Sequence, residues 1–161
     1  MLKKTGIPEE EELKLVLPDD ARRKRGPFAV FECFERIPCN PCYDACPMHA
    51  VMPFEDINDL PRLDLDRCNG CGNCVAQCPG LAVFVVDETY SEDEALLKLP
   101  YEFVPLPLAG SEVDLLDREG KKVGRGKVVR VQKARHRTAT PVVWVTVPKH
   151  LSMVVRNIGG I

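Results

Sequence analysis

The sequence predicts two structural units: a cysteine-rich unit with an internal repeat, and a small all-β domain with the form of a barrel or sandwich. All eight cysteines lie between Cys33 and Cys78, and the last 83 residues contain none. The stretch "CPMHAV" at Cys46–Val51 recurs as "CPGLAV" at Cys78–Val83, 32 residues further on. From residue 112 onward, β-branched residues and recurring glycines disfavour a helix and predict about five strands.

These patterns divide the chain into four segments. We expect an N-terminal extension at 1–27, the cysteine-rich unit at 28–87, an acidic proline-rich linker at 88–111 and the small β domain at 112–161. In the extension, Leu13–Leu17 predicts one short strand. In the cysteine-rich unit, "FAVFEC" and "LDLDRC" predict strands that lead into the two cysteine groups, and "LAVFVVD" predicts a strand that leaves the second.

Composition favours a soluble protein in a reducing compartment. The longest apolar run, Leu81 to Val86, is far too short to span a membrane. The N-terminus has two lysines and then turns acidic, without the apolar core of a signal peptide. We therefore expect a cytoplasmic protein, in which eight clustered cysteines serve metal ligation rather than disulfides.

The net charge is only -2, but the charged residues are concentrated in two stretches of opposite sign. Arg118 to Arg137 carries nine basic residues and one acidic residue, whereas Asp87 to Asp117 carries nine acidic residues and one basic residue. The basic stretch could contact an acidic partner, hold the chain's own acidic linker, or form the solvent face of strands. Nucleic-acid binding is an alternative, but the stretch has no Tyr or Phe on which bases could stack.

The second cysteine group has the spacing Cys68-x2-Cys71-x2-Cys74-x3-Cys78, followed by proline. Gly70 and Gly72 let the backbone turn tightly between the thiols, and we expect amides near Gly70, Gly72 and Asn73 to donate to sulfur. This run is typical of iron–sulfur binding, in which the last cysteine serves a second cluster. Structural zinc is the alternative, but zinc ligand pairs are usually separated by a longer span.

The motif resembles that of the eight-iron bacterial ferredoxins, a family with a small α+β fold of pseudo-twofold symmetry, two [4Fe–4S] clusters and one-electron transfer. The resemblance covers Cys33 to Val86. It implies one cluster on Cys46, Cys68, Cys71 and Cys74, and another on Cys39, Cys42, Cys78 and a fourth ligand. Arg36 occupies the position expected for this fourth ligand and cannot bind iron. We therefore expect Cys33 to be the fourth ligand, reaching the cluster through an enlarged loop. The alternative is that Cys33 is a buried strand thiol beside a [3Fe–4S] cluster.

A second resemblance concerns the whole chain. "ECFERIPCNPCYDACP" and "CPGLAVFVVD", together with the added β-rich tail, resemble ferredoxin-like subunits of flavin-dependent amine and amino-acid dehydrogenases, of the sarcosine, proline and hydroxyproline types. This resemblance implies flavoprotein partner subunits. We find no nucleophile–base pair, phosphate loop or hydride-cofactor fingerprint, so bond chemistry would belong to the partner. A free-standing ferredoxin and a nucleic-acid-binding iron–sulfur protein are the alternative functions.

Overall fold

Seven antiparallel strands form one sheet in the computed structural model, which describes residues 2–160. Their order across the sheet is β1-β2-β3-β6-β5-β4-β7. In chain order the strands are β1 Phe28–Phe31, β2 Val83–Asp87, β3 Glu94–Pro100, β4 Glu112–Leu116, β5 Lys122–Gln132, β6 Val142–Pro148 and β7 Asn157–Gly159. The predicted strands in "FAVFEC" and "LAVFVVD" are confirmed as β1 and β2. The strand predicted in "LDLDRC" is wrong, because Leu63 forms only an isolated bridge with Val51 and residues 65–67 form a turn.

The helices are short and lie outside the sheet. They are α1 Leu2–Thr5, α2 Glu10–Val16, α3 Asp20–Arg23, α4 Pro41–Ala45 and α5 Asn73–Gln77, with one 3₁₀ turn at Lys149–Leu151. Among residues 2–160, no helix has the length and apolarity needed to cross a bilayer.

The strand predicted at Leu13–Leu17 is wrong, because this segment lies mainly in helix α2. Glu9 and Glu12 form a reciprocal capping box at the start of the helix. Three glutamates occupy the first helical turn, where the positive end of the helix dipole stabilises negative charge. The alternation of Leu13, Leu15 and Leu17 suggested a strand, but the capping glutamates at the start of the segment favour a helix.

Strand β3 connects the cysteine-rich unit to the C-terminal strands. It lies within the segment predicted to be a linker, and it pairs with β2 on one side and with β6 on the other. Within residues 112–160 there are four strands, β4 to β7, and they continue this sheet instead of forming a separate barrel or sandwich. The acidic residues around β3 suggested a solvated linker, whereas Ala95, Leu97 and Leu99 are buried in the core.

The sheet curls so that its first and last strands share one apolar core. Phe28 and Val30 of β1 belong to the same buried cluster as Leu115 of β4 and Ile158 of β7. The alternate residues of β1 and β2 point to the opposite face, where Phe31 and others form a second cluster around the cysteine-rich segment. The curled sheet is therefore the platform on which the cysteines are arranged.

Candidate metal centres

The eight cysteines line two separate cavities. One cavity, which is partly open to solvent, is lined by Cys33, Cys39, Cys42 and Cys78. The other is lined by Cys46, Cys68, Cys71 and Cys74. We call them the first and the second cavity. Each set of four cysteines is one that the sequence predicted to bind a single cluster. Ligation of a cluster by either set stays a prediction.

The chemistry of both cavities fits an iron–sulfur cluster. All eight cysteines are free thiols, and [4Fe–4S] clusters are held by four cysteine thiolates. Among residues 2–160, no three His, Cys, Asp or Glu side chains are grouped closely enough to hold a single metal ion. Each set of four thiols surrounds a cavity instead.

The local geometry around the cysteines repeats at the 32-residue offset found in the sequence. Helix α4 begins one residue before Cys42 and ends just before Cys46, and α5 begins one residue before Cys74 and ends just before Cys78. Three residues after each helix-ending cysteine, His49 and Leu81 adopt left-handed backbone conformations, with φ of 50° and 52°. Residues other than glycine seldom adopt this conformation, so its occurrence at both equivalent turns indicates that the surrounding structure imposes it.

Backbone pairing repeats in the same way. The β1–β2 partners Phe31 and Val83 have a counterpart in the isolated bridge between Leu63 and Val51. Beside them, the Glu32 amide donates to the Ala82 carbonyl at 2.8 Å, and the Asp64 amide donates to the Ala50 carbonyl at 2.7 Å. Both halves therefore hold their cysteine turns with equivalent backbone contacts.

Among residues 2–160, three backbone amides donate to cysteine sulfurs within hydrogen-bonding distance. The Ala50 amide lies 3.3 Å from Cys46 Sγ, and the Ala82 amide lies 3.4 Å from Cys78 Sγ, again as a repeated pair. The Ala29 amide of β1 lies 3.4 Å from Cys68 Sγ.

The amides of Gly70, Gly72 and Asn73, which were predicted to donate to sulfur, make no such bond to a cysteine among the described residues. The two glycines shape the loop instead, with φ of 67° and 85°. A Cβ on Gly70 would lie 2.5 Å from the Pro27 Cβ, so this loop packs too closely for a larger residue.

Cys33 lies at the wall of the first cavity, two residues after the end of β1. Because the ladder between β1 and β2 continues to Glu32, the next residue is brought to the side of the sheet where Cys78 lies. Burial, together with the nearby thiols of Cys78 and Cys39, raises the pKa of Cys33 above its usual range. Arg36, which occupies the expected ligand position, pairs with Asp59 at 2.7 Å.

Burial and neighbouring thiols raise the pKa values of Cys42 and Cys74, so these two thiols resist ionisation on their own. Burial raises the pKa of Cys42 to about 11, with further contributions from Cys78, Cys39 and Cys33. Burial also raises the pKa of Cys74, followed by the neighbouring thiols of its own set. Thiolates crowded in this way are stabilised when iron supplies the compensating positive charge.

Comparisons with known proteins agree with this chemistry. Residues 35–82 match the family profile of the 4Fe-4S dicluster domain. The chain is 37% identical over 59 residues to the ferredoxin-type protein NapF of Haemophilus influenzae, covering 35% of this chain and 34% of that protein. No solved structure matches the chain significantly.

Two further relatives carry the names of enzyme components. The thiosulfate reductase electron transfer subunit PhsB of Salmonella typhi is 39% identical over 51 residues, which cover 29% of this chain and 26% of that protein. Pyruvate synthase subunit PorD of Methanocaldococcus jannaschii is 38% identical over 52 residues, which cover 32% of this chain and 58% of that protein.

The match identifies a 4Fe–4S ferredoxin-type domain within this chain. It extends over less than a third of the sequence, and the chain spans only about a third of the length of the NapF relatives. The matched stretch begins at residue 35, so it leaves out Cys33, β1 and everything after Ala82.

Proposed function

We propose that this protein is an electron-transfer subunit that relays single electrons through two [4Fe–4S] clusters. The observation that carries the proposal is the presence of two four-thiol cavities formed by a repeated backbone geometry. When bound, each cluster supplies a one-electron couple, and the protein contributes ligands, burial and hydrogen bonds to sulfur. The first cavity would use Cys33, Cys39, Cys42 and Cys78, and the second Cys46, Cys68, Cys71 and Cys74.

Several cysteines lie near the surface, as electron exchange with another protein requires. Cys71 is exposed, and the other cysteines except Cys74 are partly exposed. Exposed apolar residues adjoin both cavities, with Ile37 lining the first and Met48 the second. A partner can therefore approach either cluster closely.

The names of the relatives support an association with other protein chains. The thiosulfate reductase electron transfer subunit PhsB and pyruvate synthase subunit PorD are each named as one part of an enzyme. We propose a multi-subunit oxidoreductase, and within that class a flavin-dependent amine or amino-acid dehydrogenase. A reduced flavin carries two electrons, and a pair of one-electron clusters suits their stepwise removal.

The loop between β3 and β4 offers a surface for such a partner. Phe103, Val104 and Leu108 are 63%, 89% and 77% exposed, which is unusual for large apolar side chains grouped in one loop. The loop is anchored where the Thr140 hydroxyl donates to a Glu102 carboxylate oxygen at 2.6 Å. We call Phe103, Val104 and Leu108 the apolar loop patch.

The neighbouring β5–β6 loop adds positive charge to this side of the molecule. It contains Lys133, Arg135 and Arg137, and its His136 ring is hydrogen-bonded to Gln77 of α5. Helix α5 also carries Cys74. A partner surface with acidic residues around an apolar centre would complement both loops and be steered toward the second cavity.

The proposed function can be tested by anaerobic affinity purification from the native cell at low salt, with iron, sulfide and flavin measured in the product. We expect about eight irons per chain and a stoichiometric flavoprotein partner. A chain without iron would overturn the proposal. A lone chain with about eight irons would instead indicate a mobile carrier.

Changing both Phe103 and Leu108 to Ser tests the apolar loop patch. We expect this variant to retain its iron but to lose most of its partner in the purification, because both side chains are mostly exposed within this chain. The matched control is Leu15→Ser on α2, where the leucine is also 82% exposed. Equal partner recovery with the double variant and the control would contradict the assignment of this surface.

A further inference from the structure

The cysteine loop at the second cavity is held by two cations from outside the matched ferredoxin stretch. On one side, Arg22 of α3 donates to the Cys68 carbonyl at 2.8 Å and also to the carbonyls of Leu65, Gly26 and Pro27. On the other side, Lys98 of β3 donates from Nζ to the Gly70 carbonyl at 2.7 Å, and its Nζ lies 3.4 Å from the Cys71 carbonyl. Arg22 is buried and Lys98 is half-buried.

Sheet register fixes the position of Lys98. Lys98 is paired with Trp144 across β3 and β6, and Trp144 is paired with Arg130 across β6 and β5. The three side chains form a row, in which the Lys98 ammonium lies 4.1 Å from the centre of the Trp144 ring and the Arg130 guanidinium lies 4.9 Å from it. The ammonium is thereby directed at the cysteine loop instead of into solvent.

Burial lowers the pKa of Lys98, and among the described residues no carboxylate forms an ion pair with its ammonium. Its charged or ionisable neighbours are Cys71, Asp87, Arg130 and Cys74. Asp87 accepts hydrogen bonds from the amide and hydroxyl of Thr89, and no ion pair joins it to Lys98 among the described residues.

The first cavity has a different charge environment. Two carboxylate residues, Glu35 and Asp59, line it, and Asp59 is paired with Arg36. Among residues 2–160, no Lys or Arg side chain donates to a backbone carbonyl of residues 33–42, which form nearly half of its wall. The two cavities repeat in backbone geometry but differ in the charges placed around them.

We propose that Lys98, assisted by Arg22, raises the reduction potential of the cluster held by Cys46, Cys68, Cys71 and Cys74 above that of the other cluster. Reduction adds one negative charge to a cluster, and a fixed cation that is partly shielded from water favours the reduced state. An electron that enters either cluster would then come to rest at the second cavity. This inference rests on the proposed function, because it requires that both clusters are bound.

Redox titration of the intact protein, followed by electron paramagnetic resonance, tests the role of Lys98. We expect Lys98→Met to lower the reduction potential of one couple by at least about 59 mV, which corresponds to a tenfold change in the equilibrium constant for one electron. The other couple should stay unchanged. Lys98→Arg should restore most of the potential, since arginine remains a cation. Lys121→Met, which removes an exposed lysine in the β4–β5 turn, is the matched control.

Alteration of the first cluster by Cys33→Ser, through loss of iron or conversion to a three-iron cluster, identifies the couple without any change at Lys98. If the inference holds, this variant should retain the couple that has the higher potential in the unaltered protein and lose the couple that has the lower potential. The inference is overturned if the lower couple remains, or if Lys98→Met with full iron content leaves both potentials unchanged or shifts them equally. An unaltered protein that binds no iron would instead overturn the proposed function.

Discussion

Cys33 shows how a single residue can be placed by a strand rather than by a motif. The sequence places Arg36 where a regular motif would have its first cysteine, and the nearest available thiol lies three residues earlier. Pairing between β1 and β2 carries the chain to Glu32 in register, which brings Cys33 to the cavity wall beside Cys78. The enlarged loop after Cys33 then has enough length to return to Cys39.

Replacing Cys33 with Ser should affect one cluster only. We expect loss of iron, or conversion to a three-iron cluster, at the first cavity. The spectrum of the second cluster should persist, because Cys33 does not line the second cavity. Iron analysis and electron paramagnetic resonance of the reduced and oxidised protein measure this. Cys71→Ser provides the opposite control, and unchanged iron and spectra in Cys33→Ser would show that Cys33 is not a ligand.

Glu32, the residue before Cys33, joins the two ends of the curled sheet. Its carboxylate accepts hydrogen bonds from Arg118 and Arg156, which lie 86 and 124 residues away in the chain. Burial alone would raise the pKa of Glu32, but the hydrogen bond from Arg118 and the charges of both arginines lower it overall. The Glu32 side chain is 7% exposed and that of Arg156 is 4% exposed, so this network is shielded from water.

Replacing Glu32 with Gln should destabilise the fold by about 3–5 kcal/mol, because two guanidinium groups lose their shared counter-charge in a buried site. Anaerobic urea unfolding followed by circular dichroism measures the change. Glu119→Gln is the matched control, since its ion pair with Lys121 is exposed and should contribute little. Equal midpoints for the two variants would show that the network does not stabilise the fold.

At the scale of elements, the β4–β5 hairpin explains part of the uneven charge in the sequence. Lys122 pairs with Asp114 at 2.8 Å, and Arg125 pairs with Glu112 at 3.1 Å. The acidic residues come from the end of the acidic stretch and the basic residues from the beginning of the basic stretch. Opposite charges on neighbouring strands favour this pairing. The first half of the basic stretch is therefore partly neutralised by the chain itself.

Strand β5 contains a glycine that its neighbours require. A Cβ at Gly126 would collide with the Thr146 carbonyl oxygen of β6 and lie 2.9 Å from Leu115 Cδ2. We expect Gly126→Ala to cost roughly 1–3 kcal/mol or more in unfolding free energy, because the strands would have to separate. Thermal unfolding under anaerobic conditions measures this effect.

Gly124, two residues earlier in the same strand, is the matched control. A Cβ there would meet Leu151 Cδ1 at 3.4 Å, which is an ordinary contact. Gly124→Ala should therefore change stability little. A Gly126→Ala variant as stable as Gly124→Ala would show that β5 and β6 can separate locally without loss.

At the scale of the whole molecule, one sheet unites segments that the sequence separates. The apolar core takes residues from β1 and β2 of the cysteine-rich unit and from β4, β6 and β7 of the C-terminal segment. Strand β3 lies between them and pairs with β6 along seven residues, Glu94 to Pro100.

Deleting residues 112–161 should prevent stable folding, because β3 loses its partner β6 and becomes an unpaired edge, and the core loses half of its wall. We expect the truncated chain to accumulate in aggregates with little iron. Solubility and iron content after anaerobic expression measure the outcome, with the apolar loop patch variant as a full-length control. A soluble, truncated protein with a full complement of iron would show that the cysteine-rich unit folds independently.

The sequence by itself determined the local turns that carry the cysteines, because short spacings and the 32-residue repeat specify turns between residues that are close in the chain. That Cys46 and Cys78 each line the cavity of the other cysteine group was implied by the resemblance to the eight-iron ferredoxins. The sequence also determined β1 and β2, through short apolar runs beside the cysteines. The match to the 4Fe-4S dicluster domain follows from the same local pattern.

Only the tertiary structure decided how these parts are joined. The role of β3 as a bridge, the network of Glu32 and the contacts of Lys98 with the cysteine loop all link residues far apart in the chain. Such contacts depend on sheet order and register, which alternation of apolar residues does not specify. The charge around each cavity is therefore a property of the folded molecule, although the cysteines themselves can be grouped from the sequence.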